Sequence, residues 1–223
     1  MRRKTLTVLM LAAAVAAAGC GGNDASPTAT DDATTTTLAV PGATPSLDPN
    51  AFLIDEATAS ALALEFDGPY EVTDFELELC PADRIAQPGR YDGSAASASN
   101  DDNSVVVDEA AWVWTDADAA AQAFQRALAA VSCTTGTLDA EDVTGTFDLP
   151  ALDTGTIFGD ESFAVSGTLT VEDQSPRVTI AGIRKGNTLV VVRMTVEEGT
   201  ANAPDPGQVV RSAATRIGAA PAG

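Results

Sequence analysis

Hydrophobic positions along the chain fall into three regimes. Thr5 to Ala18 is an apolar and small-residue run of 14 residues directly after Met1-Arg2-Arg3-Lys4. Gly21 to Pro49 is mostly Thr, Ala, Asp, Gly and Pro, with Thr34-Thr35-Thr36-Thr37 at its centre and only Leu38, Val40 and Leu47 as sizeable apolar residues. From Phe52 onward periodic patterns appear. Asp55 is placed to cap a short helix through Ala61-Leu62-Ala63-Leu64. Tyr70 to Cys80 alternates as a strand, and its shift from even positions (Tyr70, Val72) to odd ones (Phe75, Leu77, Leu79) predicts a bulge near Thr73-Asp74. Pro81 to Asn103 reads as a long polar loop.

Ser104 to Trp114 returns as a strand. Thr115 or Asp116 then caps the clearest helix, which runs to about Ser132 with Ala117, Ala120, Ala121, Phe124, Leu128 and Val131 at helical spacing. Four further strands follow: Val143 to Leu149, Ser162 to Val171, Arg177 to Arg184 and Thr188 to Glu197. The last two join through Lys185-Gly186-Asn187 as a hairpin. Asp205-Pro206 opens a closing helix, Val209, Val210, Ala213 and Ile217 line one side, and Gly218 stops it. No strand-helix alternation of the parallel kind is present. The order predicts an α+β fold, an antiparallel sheet of five to six strands flanked by helices.

The basic start and short apolar run are those of a secretory signal, too short for a membrane span. Ala17-Ala18-Gly19-Cys20 resembles the lipobox of bacterial lipoproteins, with Ala17 where Leu is usual. That resemblance implies cleavage before Cys20, acylation of its thiol and anchoring to the outer face of the bacterial cell membrane. The alternative is an ordinary signal cleaved near Ala18, with Cys20 a free thiol. Thr5-Leu6 after Lys4 fits a twin-arginine signal poorly, so the general secretory route is expected. The plan is then a signal over 1–19, a flexible tether over 20–50 reaching about 30 Å, one domain over 51–218 and a tail over 219–223.

Composition narrows the chemistry. The chain has no His, which removes Ser-His-Asp triads, Cys-His dyads and His-ligated metals. Cleavage of the signal removes Arg2, Arg3 and Lys4, leaving nine basic residues against 32 acids, a net charge of −23. Nucleic acid and anionic lipid headgroups are therefore poor partners. Lys185 is then the only lysine; at a hairpin tip it is expected to serve solubility. Acid pairs such as Asp101-Asp102, Asp116 with Asp118, and Asp139 with Asp142 suit hard cations, yet so many acids form pairs by chance and no EF-hand loop is present. No metal and no cofactor is expected.

With Cys20 acylated, Cys80 and Cys133 are left as an even pair in an exported protein, which most simply forms a disulfide; two buried thiols are the alternative. Trp112 and Trp114 share one strand face. They form either an indole platform for a sugar or apolar ligand, or core beneath the Phe124 helix. Arg84, Arg90 and Tyr91 stand out in the polar loop, because guanidinium forks match carboxylate or phosphate; local salt bridges are the alternative.

Ala111-Trp112-Val113-Trp114 leading to Ala120-Ala121-Gln122-Ala123-Phe124 and Cys133, then Gly159-Asp160-Glu161, then Arg184-Lys185-Gly186-Asn187 followed by Val190-Val191-Val192, resembles the PknH-like extracellular sensor domains of actinobacterial lipoproteins and receptor kinases. The resemblance covers about Phe52 to Ile217. It implies an antiparallel sheet flanked by helices, with a cleft for an envelope ligand. Members of that group often carry two disulfides, whereas this chain can make one. The reading is thus a non-enzymatic, membrane-anchored envelope lipoprotein with a sensor-like domain for a ligand or protein partner. A structural or assembly lipoprotein that docks onto an envelope complex is the alternative, and a hydrolase using carboxylates alone is third.

Overall fold

Local sequence chemistry starts each helix, whereas Gly218, expected to stop the last one, lies inside it. The computed structural model describes residues 47–72, 91–140, 143–155 and 159–219, all within one compact unit, Gly42–Gly223. A 3-10 turn, Pro49–Phe52, has Asp48 as its cap, the carboxylate accepting from Asn50 N at 3.0 Å. Helix α1, Glu56–Ala61, is capped by Asp55, which accepts from Thr58 N at 2.7 Å. Helix α2, Ala117–Ala130, is capped by Asp116 through Ala119 N, also at 2.7 Å. Helix α3 spans Pro206–Ala219, with Asp205 accepting from Gln208 N. Such caps satisfy amide donors left over by the first turn.

Eight strands make one antiparallel sheet: β1 Glu65–Glu71, β2 Tyr91–Ser99, β3 Val105–Trp114, β4 Thr135–Ala140, β5 Val143–Asp148, β6 Glu161–Val171, β7 Arg177–Lys185 and β8 Thr188–Val196. Their order is β1-β2-β3-β8-β7-β6-β5-β4. The chain therefore leaves the middle of the sheet at β3, crosses one face as α2 to the far edge, and meanders back until β8 pairs with β3.

The sheet has more strands than the five to six expected, and β1 begins at Glu65, sharing only Tyr70 and Glu71 with the strand read over Tyr70 to Cys80, whose residues from Thr73 on lie outside the described ones. Tyr91–Ser99, inside the segment read as loop, is β2; its Gly, Ser and Ala side chains carry no alternating signal, yet Ala95, Ala96 and Ala98 are buried by neighbours on both sides. β4, with only Leu138 as a large apolar residue, gave no strand pattern. The bulge expected near Thr73-Asp74 lies outside the described residues, as do Cys80, Arg84, Arg90 and everything before Leu47. A register shift between β1 and β2 does occur earlier, between Asp67 and Tyr70.

Each sheet face has its own core. On one, α1, the 3-10 turn and α3 cover Val107, Ala111, Val113, Ile183, Val190, Val192 and Met194 with Phe52, Leu53, Ile54, Val209, Val210 and Ile217. On the other, α2 covers Trp112, Trp114, Ile180, Leu189 and Val191 with Phe124, Ala120 and Ala127. The inward face of α2 is Ala119, Ala120, Ala123, Phe124, Ala127 and Ala130, so Ala117 and Ala121, expected inside, are rotated out. In a helix so rich in alanine, Phe124 sets the phase: its ring sits 5.6 Å from Phe163. Gly182 leaves room for that second ring, since a Cβ there would come within 2.3 Å of it.

Candidate functional site

The first described residues run past the paired ends of β1 and β2, and the gap between them is an open cleft of about 640 Å³. Asp48, Asn50, Tyr70, Glu71, Tyr91 and Ser94 are among its lining residues, with Leu47, Pro49, Pro69, Val72, Asp92 and Gly93 completing the walls. Its two sides are tied by one hydroxyl. Ser94 Oγ, in β2, donates to Asn50 Oδ1 in the 3-10 turn at 2.5 Å and lies 3.2 Å from the Tyr70 carbonyl oxygen in β1. Val72 N donates to Gly93 O at 3.2 Å, holding the strand ends together.

The tryptophans stand behind this wall. Trp112 and Trp114 are 3% and 2% exposed, which places both indoles in the core under α2 and away from the surface. Gly93 accommodates Trp112, whose Cδ1 would lie 2.8 Å from a Cβ there. Tyr91 meets Trp114 with ring centroids 5.5 Å apart, tilted by 45°. Of the residues singled out in the sequence, only Tyr91 is placed at the cleft; Arg84 and Arg90 lie outside the described residues.

Charged side chains lining the cleft among the described residues, Asp48, Glu71 and Asp92, are all acidic. Tyr70 is the exposed large hydrophobic residue of the described chain, at 38%. Its phenol is pushed up by partial burial and by Asp108 and Asp67, with Arg193 pulling the other way. Beside it, Arg193 in β8 binds Asp108 in β3 through Nη2 (2.6 Å) and Nε (3.0 Å), and Ser97 Oγ donates to the same carboxylate at 2.8 Å. The walls thus offer two tyrosines, a proline-rich rim and oxygen acceptors, a mix that suits a polyol or cationic ligand over an anion.

Two further polar clusters hold the frame. Glu109, 1% exposed, accepts from Ile54 N at 2.6 Å and from Arg216 at both carboxylate oxygens, while Arg216 also donates to Phe52 O and Ser212 Oγ. Burial pushes the Glu109 carboxyl up, and Arg216 opposes this. Glu109 does not line the cleft, so it is no general acid for a ligand there. Sequence reading passed over it, although it is the one acid on the buried phase of Val105, Val107, Ala111 and Val113. At the other end of the sheet, Arg184 binds Glu161 Oε2 (2.6 Å) and Asp160 Oδ2 (3.3 Å), and Gly186 N donates to Asp160 Oδ2. Asn187 Nδ2 donates to Trp114 O. Lys185, expected to be a solubilising tip, instead donates to Gly218 O at 2.9 Å and caps the end of α3.

No protein-family model matches the sequence, and no curated protein matches it. Among solved structures, the extracellular domain of PknH from Mycobacterium tuberculosis matches with a TM-score of 0.54 at 15% identity, covering 78% of this chain and 100% of that one. A looser match, TM-score 0.41 at 9% identity, is an uncharacterized protein of Mycobacterium smegmatis described as an Rv0999 ortholog; it covers 74% of this chain and 97% of that one. The first match shows a shared fold. Among the described residues, no helix is long and apolar enough to cross a membrane.

Proposed function

We propose that this chain is an exported envelope lipoprotein, anchored through Cys20, whose domain is a non-catalytic sensor-like module that takes a ligand in the cleft between the 3-10 turn, β1 and β2. The observation that carries the reading is the cleft itself: about 640 Å³, open, and braced by the Ser94 hydroxyl between Asn50 and Tyr70. The fold shared with an extracellular domain supports export. The basic start, the apolar run and Ala18-Gly19-Cys20 support acylation. A polyhydroxylated ligand without negative charge, such as a neutral envelope glycan, fits walls that supply tyrosine faces and the acceptor oxygens of Asp48, Glu71 and Asp92.

Two measurements test it. Palmitate labelling with detergent partitioning should mark the wild type and fail for Cys20→Ser. For the cleft, neutral cell-wall oligosaccharides titrated into the purified chain should shift amide resonances of Asn50, Tyr70 and Ser94, and Asn50→Ala should weaken those shifts without unfolding. Unchanged spectra across that probe set, or shifts confined to another face, would reject the cleft as the binding site.

A further inference from the structure

The brace across the cleft leaves a donor and an acceptor unused. Ser94 brings a single hydroxyl proton, and two oxygens lie near it, Asn50 Oδ1 at 2.5 Å and the Tyr70 carbonyl at 3.2 Å. Hydroxyl-to-oxygen bonds run to about 3.0 Å, whereas N–H donors keep about 2.7 Å or more from an oxygen. Distance therefore gives the proton to Asn50 and fixes which way its amide points. The amide oxygen is spent on Ser94, and Nδ2, with two protons to donate, is turned away from it.

Glu71 stands beside the same hydroxyl. It is opposite Ser94 in the β1–β2 register, so both side chains leave the sheet on one face, with Cβ atoms about 5 Å apart. Asn50 reaches that hydroxyl from the 3-10 turn, and both residues line the cleft. Asp48 is less available, because its Oδ1 already accepts from Asn50 N at 3.0 Å. Among the described residues nothing meets Asn50 Nδ2 or the Glu71 carboxylate. One group only donates and the other only accepts.

We propose that Asn50 and Glu71 set the specificity of this cleft by reading a free hydroxyl of the ligand, which accepts from Asn50 Nδ2 and donates to the Glu71 carboxylate. This role rests on the cleft being the glycan site, and it names the group recognised there. An ether or ester oxygen satisfies Asn50 and leaves Glu71 without a proton. An ammonium does the reverse, and a carboxylate or phosphate is repelled by Glu71. A sugar hydroxyl serves both, and a site built around a hydroxyl discriminates against the analogue that lacks its proton.

Neutral cell-wall oligosaccharides, intact and O-methylated, titrated into the purified full chain test this through amide shifts. Methylation keeps each oxygen as an acceptor and removes its proton. The wild type should bind the intact sugar about tenfold more tightly than the methylated one. Glu71→Ala should bring the two within about twofold of each other. Asn50→Asp keeps an oxygen for Ser94 but brings no donor, and should weaken binding of the intact sugar about tenfold. Both positions are exposed, and resonances away from the cleft that match the wild type show that each variant is folded. Cleft shifts with equal affinity for both sugars, a Glu71→Ala chain that keeps the preference, or an Asn50→Asp chain that binds like the wild type would overturn the pair and leave the cleft as the site. A wild type without cleft shifts from either sugar would overturn the cleft reading and the pair with it.

Discussion

Arg216 in the last helix grips both carboxylate oxygens of Glu109 in the third strand, 107 residues earlier in the chain. With Glu109 at 1% side-chain exposure and Arg216 at 15%, neither charge can relax into water if its partner is removed. Glu109→Ala should cost about 3–5 kcal/mol, the usual penalty for stranding one member of a buried pair. Glu109→Leu combined with Arg216→Met should recover most of that loss, since an apolar pair of similar volume escapes the desolvation cost. Urea denaturation of both variants checks this; a double variant as unstable as the single one would assign the loss to the Ile54 and Phe52 backbone contacts.

Asp55 gives the domain a pH dependence on the acid side. Hydrogen bonds from Thr58 hold its carboxyl below 3.8, so its contribution is present above that value and lost as pH falls through the lowered one. Denaturation midpoints measured against pH should therefore decline below pH 3.8, and that fall should shrink in Asp55→Ala, at a cost of about 1 kcal/mol from the lost cap.

Trp112 and Trp114 are framework, and the cleft polar groups are not. Trp112→Ala or Trp114→Ala should destabilise by about 3–5 kcal/mol through the cavity each leaves under α2. Asn50→Ala, at an exposed turn, should leave thermal stability within about 1 kcal/mol of wild type. Thermal melts separate the two classes; a Trp114→Ala variant that melts like wild type would remove the indole from the core.

Cys133 is half-buried against the α2 core at the end of that helix, a position suited to a covalent tie. A Cys80–Cys133 bridge is the pairing we propose. Intact mass spectrometry after alkylation without reduction should find neither residue modified. Closing a loop of about 54 residues contributes about 4 kcal/mol in the chain-entropy model, so Cys80→Ser should lower the unfolding free energy from urea denaturation by a comparable amount.

How much of this was legible in the sequence depends on where the information sits. The β7–β8 hairpin could be read because Val178, Ile180, Leu189 and Val191 alternate around a Gly186-Asn187 turn. Gly159-Asp160-Glu161 and Arg184 could be flagged as a motif, and their role is a clamp between strand ends. β2 was illegible because alanine, serine and glycine are buried there by what packs on them, a tertiary fact without local signature. The cleft was hidden for the same reason: Asn50 and Ser94 meet across 44 positions, one in a segment read as tether and the other in a segment read as loop. Tyr91 alone was visible, as an aromatic in a polar stretch. Glu109 could have been found by asking which acid shares the phase of its apolar neighbours.

The fastening of Phe52 and Ile54 by Arg216 and Glu109 also has a mechanical side. Tension entering at Leu47 reaches the Asn50–Ser94 bond in the edge strand β2 and then this clasp, which passes it to the sheet centre and the closing helix together. The clasp therefore ties the amino-terminal turn to the middle of the sheet as well as to its edge.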